Sequence, residues 1–151
     1  MTSIFKTYKI VLATGGFDPI HKGHIDYLVA AEKLGDDLCV GINSDEWLTR
    51  KKGKFFMSCH DRYSIIHALK CVTSCDIIDD SDDTARTFIQ LYLDRLPRTQ
   101  FIFANGGDRT NTTTPEYEMF KDHPRIEFAW GVGGSNKTNS SSEILQRWKS
   151  S

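Results

Sequence analysis

Long apolar segments are missing from this sequence of 151 residues. No stretch approaches the roughly 18 consecutive apolar residues that would cross a bilayer. Residues 1–9 have neither the apolar core nor the cleavage pattern of a secretory signal peptide. Paired-cysteine motifs are missing too, because Cys71 and Cys75 lie four residues apart and lack the CxxC spacing of a zinc or redox site. We therefore expect a cytoplasmic protein with free thiols and no membrane partner.

An excess of charge of either sign is lacking as well. The sequence has 19 Lys and Arg against 20 Asp and Glu, which gives a net charge of -1. Nucleic-acid-binding domains usually carry a clear basic excess. The hydrophobic share of 39% and the charged share of 26% are typical of a globular chain. We expect a single domain over residues 1–151 that binds small molecules rather than nucleic acid.

Short apolar runs alternate with helical patterns along the whole sequence. Strands are predicted at 8–14, 37–42, 76–78, 100–104 and 125–130. Helices are predicted at 23–34, from Asn43, at 58–70, from Asp82 or Asp83 to 95, from Pro115, and from Ser140 to 149. This alternation predicts an α/β fold, a Rossmann-like doubly wound, mostly parallel five-stranded sheet with helices on both faces. Ligands of such sheets bind beyond the carboxyl ends of the strands, which selects the loops 14–24, 42–58, 104–114 and 130–141.

The first of these loops has the composition of a phosphate-binding turn. It follows a buried strand, contains glycines, and places His21 and His24 three residues apart, on one side of the first helical turn. A helix start offers N–H groups and positive partial charge to a phosphate, and Gly23 leaves room for a close approach. Two imidazoles there can stabilise charge that develops on a phosphate. The alternatives are a structural histidine, and a zinc site, which would need a third ligand.

Several segments resemble one enzyme family. The run GGFDPIHKGH resembles the G-x-F-D-x-x-H-x-G-H signature of the cytidylyltransferase-like nucleotidyltransferases. LGDDLCVGINSDEWLTRKKG is similar to a segment of heptose 1-phosphate adenylyltransferases and of glycerol-3-phosphate cytidylyltransferases. FANGGDR resembles the GGD segment of the heptose enzymes, and the resemblance extends from about residue 10 to 149. It implies transfer of a nucleoside monophosphate from an NTP (ATP or CTP) to a phosphorylated small molecule, in the first place a sugar phosphate. Pyrophosphate is released, and Mg²⁺ arrives on the NTP.

The resemblance also implies roles for individual residues. The residues assigned to catalysis are His21, His24, Lys52 and Lys54, with Lys51 as the competing lysine. The residues assigned to nucleotide binding are Gly15, Gly16, Phe17, Asp18, Gly23, Arg62, Gly107, Asp108, Ser140, Ser141 and Ser142. Within this set, Asp18 is expected to support its loop. Arg62 is expected either to touch the nucleotide phosphates or to hold the lysine loop.

One segment departs from the family pattern. The cytidylyltransferases have an R-T-E-G stretch before the last helix, whereas this chain has Trp130 to Gly134 without arginine. Lys137 is the candidate replacement for that charge. The departure weighs against a glycerol-3-phosphate-type cytidylyltransferase, which stays the nearest alternative.

Other expectations remain open. A nucleotide-binding module without catalysis and a nucleic-acid binder using the basic cluster at 50–54 are the remaining alternatives. Relatives often form homodimers, which makes a homodimer a further expectation. The acidic residues between 76 and 83 are interpreted as a solvated connection with a helix cap.

Overall fold

The computed structural model describes residues 7–107, 114–134 and 140–150. Within them, strands and helices alternate as the sequence predicts. The strands are β1 (Lys9–Gly15), β2 (Asp37–Ile42), β3 (Ser74–Ile77), β4 (Gln100–Gly106) and β5 (Ile126–Val132). The helices are α1 (Lys22–Glu32), α2 (Asp45–Lys52), α3 (Cys59–His67), α4 (Arg86–Arg95), α5 (Pro115–Phe120) and α6 (Ser141–Ser150).

The five strands form one sheet in the order β3-β2-β1-β4-β5. Each of its four pairings is parallel, and β1 lies at the centre with Leu12 opposite Cys39 of β2 and Phe103 of β4. The chain winds outward from β1 to β3, then returns to the other side of β1 with β4. The switch point therefore lies between β1 and β4, where a crevice opens at the carboxyl ends of such strands.

Both faces of the sheet are covered. Ile10 and Leu12 of β1 belong to a buried cluster that includes Phe88 and Ile89 of α4. The alternate residues Val11 and Ala13 belong to a second cluster that includes Leu28 of α1 and Ile66 of α3. Successive side chains of a strand point to opposite faces, so these two clusters are two layers of core. The predicted fold class is confirmed.

Most predicted helix starts are confirmed by their caps. Ser58 accepts a hydrogen bond from Asp61 N at 3.3 Å, and Ser140 accepts one from Glu143 N at 3.1 Å. Thr114 caps α5, which has Pro115 in its first turn. For α2, the cap is Ser44 rather than Asn43, since the Ser44 hydroxyl accepts from Trp47 N. These side chains satisfy backbone N–H groups that have no partner within their helix.

The prediction for the start of α4 is wrong. This helix begins at Arg86, and its preceding residue, Ala85, makes no side-chain capping bond. The Asp82 carboxylate accepts hydrogen bonds from the backbone N–H and the hydroxyl of Thr84, two residues on. Aspartate forms such local turns as readily as helix caps. These bonds, together with Arg86, hold the pKa of Asp82 below its ordinary value.

Two further sequence expectations can be compared with the structure. All four cysteines are free, and Cys39 and Cys75 are buried in the core. In the described part of the chain, no helix combines the length and the apolar character that crossing a membrane requires.

Candidate active site

A cavity of about 340 Å³ opens at the switch point between β1 and β4. Its walls come from the end of β1, the start of α1, the end of β4, the turn after β5 and the start of α6. Among the predicted site residues, those that line it are Gly15, Gly16, Phe17, His21, Gly23, His24, Gly107, Ser140 and Ser141. The sheet topology therefore brings together residues that are up to 126 positions apart in sequence, from Gly15 to Ser141.

The two histidines stand side by side in this cavity. The centroids of the His21 and His24 rings are 4.0 Å apart, with the ring planes tilted by 37°. The ring of Phe17, which is 2% exposed, meets the His24 ring edge-on at 5.1 Å. The pair thus lies at the start of α1, where the helix dipole favours negative charge.

Hydrogen bonds fix which nitrogen of each ring faces the backbone. Nδ1 of His21 accepts from Gly23 N at 3.0 Å, and Nδ1 of His24 accepts from His21 N at 3.2 Å. The two side chains form a reciprocal capping box for α1. An Nδ1 that accepts a hydrogen bond leaves the proton of the neutral imidazole on Nε2. Both rings therefore hold Nε2–H as a donor, which is the form that can bind a phosphate oxygen.

The start of α1 differs from the sequence prediction in one respect. The backbone N–H groups of Gly23 and His24 are not available to a phosphate, because they donate to the side chain and the carbonyl of His21. A Cβ atom on residue 23 would lie 2.8 Å from Cε1 of His21. Gly23 thus makes room for the His21 ring. The imidazoles line the cavity, and these two N–H groups are used within the turn.

Asp18 supports a neighbouring loop, as expected. Its carboxylate is 2% exposed and accepts from Phe56 N at 2.7 Å and from Met57 N at 2.6 Å. These bonds attach the segment 53–58 to the turn between β1 and α1. The carboxylate is fully engaged by the backbone of that segment, so we assign it no direct contact with the nucleotide.

Arg62 joins three loops at the same edge of the sheet. Its side chain has no exposed surface and donates to the carbonyls of Gly16, Asn43 and Met57. It also forms a 2.7 Å ion pair with Asp45. Of its two expected roles, this geometry fits holding the lysine loop, since a buried guanidinium that makes four hydrogen bonds to the protein offers no surface to a phosphate.

The lysines lie beside the cavity rather than in its lining. Nζ of Lys52 donates to the carbonyl of Asp18 at 3.3 Å, which places its ammonium group at the β1–α1 turn. Lys54 follows Gly53, the left-handed C-cap of α2, and is exposed. Nζ of Lys51 lies 5.5 Å from the centroid of the Trp47 ring. Of these three lysines, Lys52 is thus the one with a described contact to the turn that carries the histidine pair.

The start of α6 meets the same turn. The Ser141 hydroxyl donates to the carbonyl of Pro19 at 2.8 Å, and the Ser140 hydroxyl caps the helix. Ser142 is exposed and lies outside the cavity lining. Asp108 and Lys137 lie outside the described residues, so their predicted roles remain predictions.

Some lining residues were not predicted as part of the site. Tyr27 was assigned only to the apolar stripe of α1, although it stands one helical turn after His24 and lines the cavity. Asn105, which is 3% exposed, and Gly133 also line it.

A further correction concerns Asp80, which was expected to be solvated. It is 3% exposed and accepts hydrogen bonds from Asn43 and Ser44.

The donor set of the described residues does not suggest a resident metal. No three His, Cys, Asp or Glu side chains in that part of the chain are grouped so as to hold an ion. Asp26 lines the cavity but pairs with Lys22 at 2.8 Å.

Burial raises the pKa of the Cys59 thiol at the start of α3, which makes it a poor nucleophile at neutral pH.

Comparison with known proteins decides the family. A family described as Cytidylyltransferase-like matches residues 12–147. The chain belongs to the cytidylyltransferase-like family. This match confirms the predicted family and the predicted class of enzyme, a nucleotidyltransferase.

Curated relatives of this cytidylyltransferase-like domain include bifunctional HldE proteins from several bacteria. The bifunctional protein HldE of Pelobacter propionicus is 32% identical over 143 residues, which cover 93% of this chain and 28% of that protein. HldE of Helicobacter pylori is 36% identical over 129 residues, covering 84% and 26%. The chain thus spans about a quarter of the length of these relatives.

Solved structures show the same architecture. The crystal structure of a lipopolysaccharide core biosynthesis protein from Thermoplasma volcanium has a TM-score of 0.63 at 27% identity, covering 86% of this chain and 98% of that one. A putative nicotinate-nucleotide adenylyltransferase from Vibrio parahaemolyticus has a TM-score of 0.65 at 14% identity, covering 95% and 88%. The second likeness concerns the fold alone.

Proposed function

We propose that this domain transfers a nucleoside monophosphate from ATP or CTP to the phosphate of a sugar phosphate and releases pyrophosphate. The observation that carries the proposal is the histidine pair. Two imidazoles 4.0 Å apart line the cavity, and each holds its Nδ1 on a backbone N–H. A sugar phosphate is favoured as acceptor because a relative at 27% identity is a lipopolysaccharide core biosynthesis protein.

The proposed reaction is an in-line displacement at the α-phosphorus of the NTP. A phosphate oxygen of the acceptor attacks, a new P–O–P bond forms, and the bond from the α-phosphorus to the α,β-bridging oxygen breaks. Pyrophosphate leaves with the electron pair of that bond. A phosphate's second pKa is about 6, so the attacking oxygen is already largely anionic at neutral pH. The protein then needs no general base, and catalysis rests on positioning and charge stabilisation.

His21 and His24 supply that stabilisation in this proposal. Their Nε2–H groups bind the oxygens of the α-phosphate and the bridging oxygen, on which negative charge grows as the bond breaks. The capping bonds at Nδ1 keep the donors in place before substrate arrives. Such preorganised donors stabilise the transition state without having to reorient during the reaction.

Lys52 and Lys54 hold the leaving pyrophosphate and the incoming phosphate. In the structure Lys52 donates to the Asp18 carbonyl, a neutral acceptor that a phosphate oxygen can replace with a stronger, charge-assisted bond. Lysine fits this role because its ammonium group is a compact charge on a flexible stem. The start of α6, at Ser140 and Ser141, contributes its dipole to the β- and γ-phosphates.

Asp18 and Arg62 act as positioning residues. Asp18 fixes the segment 53–58 to the β1–α1 turn, and Arg62 joins that turn to the ends of β2 and of the same segment. Together they determine where the lysines lie relative to the histidines. Mg²⁺ is part of the magnesium–NTP substrate and keeps most of its water ligands, as is usual for this ion.

The proposal is tested by measuring pyrophosphate release with each of the four NTPs against a panel of sugar phosphates and alcohol phosphates. Release that requires ATP or CTP together with a sugar phosphate supports it. Release with CTP and glycerol phosphate would instead identify the glycerol-3-phosphate-type activity. Binding of an NTP without release under any combination would identify a nucleotide-binding module.

A further inference from the structure

Tyr27 connects two parts of the cavity wall that are distant in sequence. It lies on α1, one turn beyond His24, and lines the cavity. Its hydroxyl donates to the carbonyl of Ala104 at 2.6 Å. That carbonyl belongs to β4, just before the strand ends at Gly106. The bond therefore fixes the distance between α1 and the end of β4.

Two glycines pack against Tyr27 so closely that a side chain on either would clash with it. A Cβ atom on Gly106 would lie 3.0 Å from Cδ1 of the Tyr27 ring. A Cβ atom on Gly133, which has a φ of +86°, would lie 2.8 Å from the Tyr27 Cα atom. The end of β4 and the turn after β5 thus both close against this residue. Three walls of the cavity meet at Tyr27, and no side chain separates them.

We propose that Tyr27 is the residue that positions the nucleoside and, through its contact with Gly106, determines how large a base the cavity accepts. This inference rests on the proposed function, which places the α-phosphate at His21 and His24. Lys52 reaches the β1–α1 turn from the end of α2, the helix that follows β2, so we place the pyrophosphate and the acceptor on the β2 side of that phosphate. The nucleoside then occupies the β4 and β5 side, where Tyr27, Gly106 and Gly133 form the wall.

The contact predicts a size-dependent effect on nucleotide choice. In Gly106→Ala, the added methyl group would lie 3.0 Å from the Tyr27 ring, so the ring or the end of β4 must shift. We expect the shift to go toward the cavity, which is the open side. A narrower compartment penalises the larger purine of ATP more than the pyrimidine of CTP. One methyl group in a close-fitting site typically changes discrimination by about 10- to 200-fold.

The experiment is equilibrium binding of Mg·ATP and Mg·CTP by titration calorimetry, which needs no knowledge of the acceptor. The variants are Tyr27→Phe, Gly106→Ala, Tyr27→Ala and the double variant Tyr27→Ala with Gly106→Ala. Tyr63→Phe is the matched control, because Tyr63 is a half-exposed tyrosine of α3 outside the cavity lining. Thermal unfolding of each variant checks that it is folded.

We expect Gly106→Ala to lower the ratio of ATP to CTP affinity at least about tenfold. In the double variant the added methyl group meets no ring, because the Tyr27 side chain is gone. Its ratio of ATP to CTP affinity should therefore stay within about twofold of the ratio for Tyr27→Ala. Tyr27→Phe, which keeps the ring and loses the hydroxyl, should weaken both nucleotides about fivefold, the equivalent of one hydrogen bond. Tyr63→Phe should leave both affinities unchanged.

An equal loss of ATP and CTP affinity in Gly106→Ala, or wild-type affinity in a folded Tyr27→Phe, would overturn the inference. Its failure can be distinguished from failure of the proposed function. If the protein binds an NTP but releases no pyrophosphate, the proposed function is wrong. The ratio of ATP to CTP affinity in the variants then still tests the role of Tyr27. Normal pyrophosphate release, together with a ratio of ATP to CTP affinity that the variants leave unchanged, contradicts the role of Tyr27 and leaves the proposed function standing.

Discussion

At the scale of the residue, Arg62 shows how a buried charge can organise a site without touching substrate. Its guanidinium has no exposed surface and connects the β1–α1 turn, the end of β2 and the segment before α3. Arginine suits this position because its rigid fork donates in several directions at once. The resulting geometry, rather than a phosphate contact, explains the position of an arginine at the start of α3.

Arg62→Met should therefore destabilise the fold strongly. Removing one partner of a buried ion pair typically costs about 3–5 kcal/mol, because the other charge and several carbonyls lose their bonds. Urea unfolding monitored by circular dichroism measures the change. Lys121→Met, which breaks the exposed pair with Glu118, is the control and should leave the midpoint nearly unchanged. Equal midpoints for both variants would show that Arg62 does not hold the loops.

A second residue-scale prediction concerns Cys75. Burial raises the pKa of its thiol to about 11, so at pH 8 only about one thiol in a thousand is ionised. The thiolate is the reactive form, which means that alkylation of the native protein should be slow and should accelerate as the pH rises toward 11. Mass spectrometry after iodoacetamide treatment measures it, with the urea-unfolded chain as reference. Equal labelling rates in the native and unfolded proteins would contradict the burial.

At the scale of the element, β1, β2 and β4 were predictable because they are apolar runs that the sheet buries on both faces. β1, β2, β4 and β5 lie within two residues of their predicted ends. β3 starts two residues earlier than predicted, because its bounds follow the pairing of Ser74 with Cys39 rather than a run of apolar residues. It is an edge strand in which only Cys75 is buried, so its own sequence carries a weak signal.

The site was predictable where its residues are close in sequence, and hidden where the contact is long-range. The glycine–histidine turn is a continuous motif, and its three glycines, Phe17 and both histidines line the cavity. The bond between Tyr27 and Ala104 joins residues 77 positions apart, and no local pattern indicates it. Asp18 with Phe56 and Arg62 with Gly16 are further pairs that only the folded sheet brings together.

Helix α6 is predicted to be the least stably held of the elements around the cavity. None of its residues is buried, and the hydroxyl of Ser141 at its start bonds to the carbonyl of Pro19. Local unfolding is cheap where little apolar surface is buried. Hydrogen exchange followed by mass spectrometry should show faster exchange in α6 than in α1, and slower exchange in α6 when Mg·ATP is bound. If the amides of α6 in the free protein exchanged as slowly as those of α1, the prediction would be contradicted.

At the scale of the whole molecule, charge and topology together favour a small-molecule enzyme over a nucleic-acid binder. The net charge is -1, and the basic cluster at 50–54 is partly neutralised, since Arg50 pairs with Asp83 at 3.0 Å. A chain that neutralises few phosphates binds nucleic acid weakly at physiological salt. The sheet order, by contrast, provides a cavity at the switch point, where α/β proteins bind nucleotides.

Fluorescence anisotropy with labelled single-stranded RNA and duplex DNA should accordingly show no binding at about 0.15 M salt. Lowering the salt should give only weak, sequence-independent binding, which the Lys51→Met variant reduces further. Tight binding that falls steeply with salt would show that the 50–54 cluster serves a nucleic-acid function.

The central claim is that the Nε2–H donors of the histidine pair stabilise the transferring phosphate. His24→Asn isolates this role, because an asparagine oxygen can still accept from His21 N in place of Nδ1 while the Nε2–H donor is lost. Steady-state pyrophosphate release should fall about a hundredfold or more in kcat, with a melting temperature close to that of the wild type. A folded His24→Asn variant that releases pyrophosphate at nearly the wild-type rate would contradict the account.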